Sequence, residues 1–280
     1  MPELPEVETV RRNLEESVVG ARVTGVEVPG RRSVRRQSAE EFSAGLRGAR
    51  VAGARRHGKY LLVELAGGGL VVVHLRMSGQ LRLLPAGAPR APHTHVVLHL
   101  EHAGAARELH FVDPRTFGEL FLADPRPPRA LPAELAGLGL DPLTEGVSAD
   151  RLGELLAGRR TSLKAVLLDQ RAVAGIGNLY ADEICFRARL RPDRPAARLR
   201  AGQVARLAAA IDAVLAEAVE ARGSSLRDER YRDLFGDLGG YQRRHAVYAR
   251  SGEPCPSCGR PIRRARVAGR SAHFCATCQR

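Results

Sequence analysis

Four cysteines near the end of the chain place the strongest constraint on how it can fold. Cys255 and Cys258 form one C-x2-C pair, and Cys275 and Cys278 form a second pair after sixteen intervening residues. This spacing is typical of a zinc site in which each pair supplies two thiolates from one tight turn. The intervening segment would form a β-hairpin whose folding requires the metal. Because four thiolates leave no open coordination position, the pattern predicts one structural zinc ion and places catalysis elsewhere.

The charge of the chain indicates a polyanionic partner. Its 44 lysine and arginine residues exceed its 31 aspartate and glutamate residues, so the formal net charge is +13. Nucleic acid is the leading partner on this basis, and an acidic membrane is the weaker alternative. No run approaches the roughly 20 apolar residues of a membrane-spanning helix, and the opening residues do not resemble a signal peptide. We therefore expect a cytoplasmic protein.

The first half of the chain is predicted to be mostly β. Val7, Val10 and Leu14 recur at helical spacing, which predicts a first helix over residues 5–16. Short runs rich in valine and leucine follow, and glycine and proline clusters separate them. This pattern favours an antiparallel sandwich over repeated β-α-β units. The predicted strands cover residues 22–28, 50–56, 60–65, 70–75, 79–84, 95–100, 107–112 and 118–122.

The second half changes character after a linker that we place within residues 124–142, which are rich in Pro, Ala and Gly. Helical spacing then predicts helices over residues 148–157, 162–169, 178–188 and 201–221. The fold class is therefore α+β with several domains. We expect an N-terminal domain over residues 1–130, a helical domain over 131–245 and a zinc ribbon over 246–280.

The opening residues Met1 and Pro2 carry a chemical signal. Aminopeptidases usually remove Met1 before a small residue, so the mature chain would begin with the secondary amine of proline. An α-amino group titrates at about pH 8, so a useful fraction is uncharged and nucleophilic at neutral pH. Such an amine condenses with an aldehyde-level carbon to give an iminium ion. Taken alone, Pro2 could also simply begin the chain, since amino-terminal nucleophiles are rare.

Six segments in sequence order resemble the formamidopyrimidine-DNA glycosylase family, and together they span nearly the whole chain. One of these segments alone would be weak evidence. Because all six occur in the same order as in the family, a chance resemblance does not explain them. The residue after Glu3 is Leu4, whereas the endonuclease VIII-like branch of the family usually has glycine at this position. Leu4 therefore favours the branch that acts on 8-oxoguanine and formamidopyrimidines. The segments are Met1–Glu8, Gly58–Leu61, His74–Gly79, Asp113–Gly118, Gly175–Tyr180 and the cysteine ribbon.

The resemblance implies a fold and a catalytic mechanism. The fold would be a β-sandwich with flanking helices, a helix-two-turn-helix domain and the ribbon. Pro2 would attack C1′ of the damaged nucleoside and leave a Schiff base, with Glu3 as the proton donor and acceptor and Glu6 orienting the amine. Lys59 would contact phosphate and assist β-elimination. Arg270 would bind phosphate and assist δ-elimination, for which a planar, always charged guanidinium is suited.

The resemblance also implies residues that fill the gap left by an extruded base. Met77 and Phe117 would supply apolar wedges, and Arg115 would hydrogen-bond the orphaned base opposite the lesion. Asn178 would cap the helix that begins there and present backbone amides to a phosphate. The further aligned DNA contacts are His93 and Arg159.

Each assignment has a plainer alternative when the family is set aside. Glu3 and Glu6 suit the first turn of a helix, where the helix dipole favours negative charge. Met77 and Phe117 could be ordinary core residues, and a lone basic residue is usually solvated. Cys185 lies in an apolar run and is expected to be a buried helix residue rather than a nucleophile.

The segment from Ser224 to Arg244 departs from the family pattern. The family often has a lesion-capping loop with an Asp-Gly turn there, and residues 228–236 of this chain show no clear counterpart. The sequence therefore leaves lesion preference undetermined. Arg160 stands where lysine is more usual and keeps the positive charge.

The expected function is base excision repair by a bifunctional DNA glycosylase and AP lyase that removes oxidised purines and cleaves the strand by β,δ-elimination. The partner would be double-stranded DNA that contains oxidised bases or abasic sites. We expect zinc as the metal, no redox or nucleotide cofactor, and a monomer associated with a bacterial nucleoid. Two alternatives stay open, an endonuclease VIII-like glycosylase for oxidised pyrimidines and a non-catalytic zinc-ribbon protein that binds lesions.

Overall fold

The computed structural model describes residues 2–30, 32–124, 132–226 and 229–280. Its residues form two compact units, Met1–Ala136 with Arg222–Gly240, and Gly137–Ala221 with Tyr241–Arg280. Arg222–Gly240 therefore groups with the first unit, although the sequence places it in the helical domain. Tyr231 and Leu234 explain this grouping, because both belong to the core of the first unit. The predicted boundary at residues 130 and 131 lies outside the described residues, and the three-part division stays a prediction.

The described part of the first unit contains eight strands in two antiparallel sheets. The strands are β1 (Arg22–Glu27), β2 (Val51–His57), β3 (Tyr60–Leu65), β4 (Leu70–His74), β5 (Gln80–Pro85), β6 (Thr94–His102), β7 (Ala105–Val112) and β8 (Glu119–Ala123). One sheet has the strand order β1-β6-β7-β5, and the other has the order β2-β3-β4-β8. Each of the eight lies where the sequence predicts a strand, so the antiparallel sandwich is confirmed.

One apolar core lies between the two sheets. Leu61 on β3 and Val73 on β4 belong to the same buried cluster as Leu98 on β6 and Phe111 on β7. All five residues of β4 are buried, because this strand lies between β3 and β8. Removal of this apolar surface from water supplies the main driving force for folding of the unit.

Helices α1 (Leu4–Ser17) and α2 (Ala39–Leu46) belong to the first unit. Val7, Val10 and Leu14 of α1 are each buried in its core, which confirms the predicted first helix. The sequence pattern does not predict α2, since this short helix buries only two large apolar residues. The residues at its start nevertheless form a capping box: the side chain of Ser38 accepts a hydrogen bond from Glu41 N, and the side chain of Glu41 accepts one from Ser38 N. A third, four-residue helix is α3 (Ala133–Ala136).

The second unit combines helices with the cysteine ribbon. Its helices are α4 (Pro142–Glu145), α5 (Ala149–Leu156), α6 (Leu163–Leu168), α7 (Asn178–Arg187) and α8 (Ala201–Glu220), and its strands are β9 (Arg263–Val267) and β10 (Arg270–Phe274). The four helices predicted for this part of the chain are confirmed to within one residue at each end. Strands β9 and β10 pair antiparallel as the predicted hairpin. None of the helices in the described ranges is long and apolar enough to cross a membrane.

Candidate active site and zinc ribbon

The first turn of α1 is fixed by the carboxylate of Glu6. Pro2 is buried, and only 4% of Glu3 and 2% of Glu6 are exposed. Oε2 of Glu6 accepts a hydrogen bond from Glu3 N at 2.8 Å, and Oε1 accepts from Ser224 N at 2.7 Å. Glu6 therefore connects the backbone next to Pro2 with the segment Arg222–Gly240.

The residue before Ser224 must be glycine. Gly223 has a φ of +77°, and a Cβ there would lie 2.8 Å from Cγ and Oε1 of Glu6. Both the backbone conformation and the space exclude a side chain. The buried hydroxyl of Tyr231 donates to Arg222 O at 3.1 Å, on the other side of this glycine. The chain is thus held close against the carboxylate that fixes Glu3.

The turn that carries Lys59 is tied to the same helix. Gly58 and Lys59 join β2 to β3, and Gly58 takes a φ of +56°. The buried guanidinium of Arg56 donates to Gly58 O at 3.0 Å and pairs with Oε2 of Glu8 on α1 at 3.1 Å. Burial alone would raise the pKa of Glu8, but the hydrogen bond from Arg11 and the charge of Arg56 hold it below its usual value. Glu8 therefore stays ionised and keeps the Lys59 turn in contact with α1.

His74 adds no positive charge beside Lys59. Burial lowers the pKa of His74 to about 3, and the charges of Arg76 and Lys59 act in the same direction. The ring is therefore neutral at pH 7, and its Nδ1 accepts a hydrogen bond from Arg76 N at 2.9 Å. This contact fixes the start of the loop that carries Met77.

A buried carboxylate connects the loops predicted to enter DNA. Oδ1 of Asp113 accepts from the hydroxyl of Ser78 at 2.5 Å and from Arg115 N at 3.2 Å. Its Oδ2 accepts from Gly118 N at 2.7 Å, and its backbone N donates to His93 O at 3.0 Å. Asp113 itself is fully buried. The side chain of Asp113 thus fixes the segments that contain Met77, Arg115 and Phe117, and its backbone N holds the segment that contains His93.

The side chains on these loops face solvent. Phe117 is 50% exposed, and the guanidinium of Arg115 lies 5.3 Å from the centre of its ring. Core packing therefore does not explain Phe117. Met77 is half-buried, and Arg115 and His93 are exposed. These four predicted contact residues lie together on connected loops of the first unit.

The segment that departs from the family pattern contains a turn built around Asp233. The buried carboxylate of Asp233 accepts from the backbone N of Phe235, Gly236 and Asp237 at 2.9 to 3.0 Å and pairs with Arg222. Leu83 N donates to Leu234 O at 2.8 Å, so the segment runs beside the edge strand β5. The turn leaves Phe235 46% exposed. Asp228, which the sequence analysis included in this segment, lies outside the described residues.

The second unit holds the other two predicted DNA contacts. Arg159 pairs with Oδ2 of Asp169 at 2.8 Å. The prediction that Asn178 caps α7 is wrong, because Gly177 occupies the N-cap position and Asn178 is the first helical residue. Among the described residues, Oδ1 of Asn178 is buried without a hydrogen-bond partner. Gln170 shapes the preceding glycine loop, accepting from Gly175 N at 2.9 Å and donating to Ile176 O at 2.8 Å.

The four cysteines converge at one end of the ribbon. Their Sγ atoms all lie within 4.8 Å of one another, with Cys255 to Cys278 at 3.9 Å and Cys258 to Cys275 at 3.5 Å. A tetrahedral zinc ion with bonds of about 2.3 Å requires sulfur atoms about 3.8 Å apart, so the four thiolates fit the metal. Arg270 lies at the opposite end of the hairpin, directly after the turn, and is exposed.

Comparisons with known proteins give the same order of parts. Residues 1–120 match the formamidopyrimidine-DNA glycosylase N-terminal domain, residues 138–230 match the H2TH domain of that enzyme, and residues 252–280 match the zinc finger found in FPG and IleRS. The formamidopyrimidine-DNA glycosylase of Thermus thermophilus is 48% identical over 280 residues, which is 100% of this chain and 98% of that protein.

The chain belongs to the formamidopyrimidine-DNA glycosylase family.

Solved structures of this glycosylase family extend the comparison to the fold. A Lactococcus lactis Fpg mutant in complex with DNA containing Fapy-dG aligns with a TM-score of 0.90 at 35% identity, covering 100% of both chains. The Lactococcus lactis Fpg in complex with DNA containing an abasic site aligns with a TM-score of 0.90 at 35% identity, covering 99% of both chains. The resemblance found in the sequence and the single structural zinc ion of the ribbon are confirmed.

The sequence patterns do not reveal the residues that position these candidate site residues. Asp113 and Glu8 lie within segments that resemble the family but had no predicted role, and Arg56 had none either. Each makes a contact between segments far apart in the chain, which spacing does not reveal. Cys185 is fully buried as expected, and burial raises the pKa of its thiol far above its ordinary value.

Loss of one zinc ligand should unfold the ribbon. We expect Cys255→Ser to lower the zinc content and to reduce DNA affinity at least tenfold, because structural zinc supplies the folding free energy of such a module. Metal analysis and fluorescence anisotropy with duplex DNA measure both effects. Cys185→Ala is the matched control, since it removes a cysteine that is not a ligand. Undiminished DNA binding by metal-free protein would contradict the prediction.

Loss of the Asp113 carboxylate should disturb the loops it connects. We expect Asp113→Asn to lower the free energy of unfolding by about 1–3 kcal/mol, the usual cost of a buried hydrogen bond to a charged group. Excision should fall at least tenfold because Met77 and Phe117 lose their support. Phe117→Ala, at a half-exposed position, should reduce excision with a change in stability below about 0.5 kcal/mol. Denaturant unfolding and single-turnover excision distinguish the two variants, and normal excision by Asp113→Asn would refute the role.

Proposed function

We propose that this protein is a bifunctional DNA glycosylase and AP lyase that removes oxidised purines, 8-oxoguanine and formamidopyrimidines, from double-stranded DNA. The observation that carries the proposal is the fixed first turn of α1, in which Glu6 holds Glu3 N beside a buried Pro2. A protein that only binds lesions needs neither a precisely held amino terminus nor an adjacent buried carboxylate. The alternative of a non-catalytic zinc-ribbon protein is therefore less well supported than the enzyme.

In the proposed reaction, the nitrogen of Pro2 attacks C1′ of the damaged nucleotide. The N–C1′ bond forms, the bond from C1′ to the base breaks, and the departing base takes up the proton that the Pro2 nitrogen loses. Glu3 transfers a proton to the ring oxygen of the sugar, which opens and leaves an iminium ion at C1′. Glu6 acts through the backbone of Glu3 rather than by touching the sugar.

The same iminium ion enables strand cleavage. It acidifies the C2′ proton, so that loss of this proton expels the 3′ phosphate in the β-elimination. Lys59, on the β2–β3 turn, neutralises charge on the leaving phosphate. A further proton loss then expels the 5′ phosphate in the δ-elimination, and we assign the stabilisation of this phosphate to Arg270.

Extrusion of the base requires the gap in the stack to be filled. We assign this role to Met77, Phe117 and Arg115, since Asp113 holds their loops together and leaves Phe117 half-exposed. His93, Arg159 and Asn178 would contact the phosphate backbone. Arg159 is paired with Asp169, so its contact with DNA would either share the guanidinium between the two or exchange Asp169 for a phosphate.

The family and its solved complexes, which include DNA with Fapy-dG and DNA with an oxidised pyrimidine, support an oxidised base as the substrate, and Leu4 favours purines. The Lactococcus lactis relative was crystallised with DNA containing Fapy-dG and with DNA containing an abasic site. These correspond to the substrate of the glycosylase step and to the substrate of the lyase step proposed for this chain. Since the substrate is genomic DNA, we propose that the protein acts in the cytoplasm at the bacterial nucleoid.

Covalent trapping tests the proposal. With 8-oxoguanine duplex and borohydride, we expect one protein–DNA adduct that peptide mass spectrometry assigns to Pro2 of a chain without Met1. An adduct on another residue, or an active chain that retains Met1, would refute the amino-terminal mechanism. Preferential excision from thymine glycol duplex would instead favour the endonuclease VIII-like alternative.

Replacement of the proposed proton donor tests the role of Glu3. We expect Glu3→Gln to reduce excision of 8-oxoguanine by at least 100-fold, a typical contribution of acid–base catalysis, with DNA affinity little changed. Glu16→Gln on the exposed side of α1 is the matched control and should leave excision unchanged. Single-turnover kinetics and anisotropy measure the two quantities, and normal excision by Glu3→Gln would exclude the role.

A further inference from the structure

Lysine is almost absent from this basic chain. Among its 44 lysine and arginine residues, only Lys59 and Lys164 are lysines. Lys59 has a place in the proposed reaction, whereas Lys164 has none. Lys164 is fully buried in the first turn of α6, where the helix dipole disfavours a cation. A buried cation in this unfavourable position indicates that Lys164 makes a specific contact.

Lys164 forms a buried ion pair with Asp182 of α7. Its Nζ lies 2.6 Å from Oδ1 of Asp182, and both side chains are 0% exposed. The same Nζ donates a hydrogen bond to Ser271 O at 2.6 Å. Oδ2 of Asp182 accepts from His273 N at 2.9 Å and lies 3.0 Å from Nδ1 of His273. The pair therefore contacts β10 of the ribbon through two backbone groups.

These two backbone groups lie on the outer edge of the hairpin. Ala268 and Gly269 form its two-residue turn with φ values of +50° and +73°, and Arg270 pairs with Val267 across it. In an antiparallel hairpin, hydrogen-bonded and non-hydrogen-bonded pairs alternate. Counting from Arg270, the backbone groups of Ser271 and His273 point away from β9. At a buried sheet edge, a third strand would ordinarily form hydrogen bonds with such backbone N–H and C=O groups.

We propose that the Lys164–Asp182 pair replaces this missing strand and thereby positions Arg270. The ammonium group donates to the carbonyl of Ser271, and the carboxylate accepts from the amide of His273, as a neighbouring strand would. Arg270 directly precedes Ser271, so the contact fixes the backbone from which its guanidinium extends. Lys164 and Asp182 are positioning residues in this role, which rests on the function proposed above for Arg270.

The chemistry of the pair agrees with a positioning role rather than a stabilising one. A buried ion pair often contributes little net stability, because both charges lose their hydration. An ammonium group is compact and has three donors, so it can serve Asp182 and Ser271 at once. A guanidinium is larger and planar, and it would not occupy the same space. The need for this compact donor explains why lysine is present here in an otherwise arginine-rich chain.

The neighbouring residue on α7 acts on the ribbon in a similar way. Glu183 is buried, and its carboxylate accepts from the backbone N of Ala246, Val247 and Tyr248 at 2.8 to 3.0 Å. Successive acidic residues of one helix thus hold the start of the ribbon segment and its second strand. Asp182 differs from Glu183 in that its contact lies within three residues of Arg270.

A double variant tests the proposal while keeping the buried site neutral. Lys164→Met with Asp182→Asn removes both charges, so neither is left buried without its partner. The matched control is Arg187→Met with Glu217→Gln, which removes an exposed ion pair between α7 and α8. The measurements are zinc content, hydrogen exchange of the ribbon amides, borohydride trapping, and the ratio of δ to β products on abasic DNA.

In the Lys164 and Asp182 variant, we expect faster exchange of the His273 amide and a ratio of δ to β products reduced about tenfold, a loss equivalent to one hydrogen bond of ordinary strength. Zinc content and trapping at Pro2 should match the wild type and the control. An unchanged product ratio in a folded, zinc-loaded variant would overturn the proposal, since a purely structural pair would leave the ratio untouched.

Arg270→Ala separates this inference from the proposed function. If that variant still forms δ product at the wild-type ratio, the role assigned to Arg270 is wrong. The exchange rate of the His273 amide then decides alone whether the ion pair fixes the hairpin edge. If Arg270→Ala loses δ product while the folded, zinc-loaded double variant keeps it, the positioning role is wrong and the role of Arg270 stands.

Discussion

Buried carboxylates that accept backbone N–H groups are the interaction on which the functional loops of this protein depend. Glu6 fixes the first turn of α1, Asp113 fixes the loops predicted to enter DNA, and Asp233 shapes the turn that exposes Phe235. A buried carboxylate is costly unless its oxygens are satisfied, so it strongly favours the one loop conformation that supplies the donors. Irregular segments thereby gain the definite geometry that helices and strands obtain from their own hydrogen bonds.

Local patterns in the sequence predicted most of the fold. Runs rich in valine and leucine between glycine and proline clusters located the eight strands of the sandwich, and helical spacing located α1, α5, α6, α7 and α8. The helix α2 escaped because only Phe42 and Leu46 are buried along it, so its periodicity is weak. The grouping of Arg222–Gly240 with the first unit also escaped, since it depends on where Tyr231 and Leu234 pack and not on their spacing.

The candidate site was predictable only in part. The motifs located the ribbon and predicted roles for Pro2, Lys59 and Arg115, because short segments carry their pattern. The groups that orient those residues come from distant positions, as in the contact of Glu6 with Ser224, 218 residues away in sequence. Such pairings follow from the folded chain, and a single sequence contains no local signal for them. The misplaced cap of α7 had a different cause, since a glycine with extended backbone serves as N-cap where the pattern favoured asparagine.

The first compact unit is built from two separate segments of the chain. The polypeptide leaves after Ala136 and returns at Arg222 to supply Leu234 to the core and the Ser224 amide to Glu6. A fragment that ends at residue 136 would lack both, and the carboxylate of Glu6 would lose the hydrogen bond from Ser224 N. Recombination that separated the sandwich from residues 222–240 would therefore remove one of the donors that hold the Glu6 carboxylate next to Pro2.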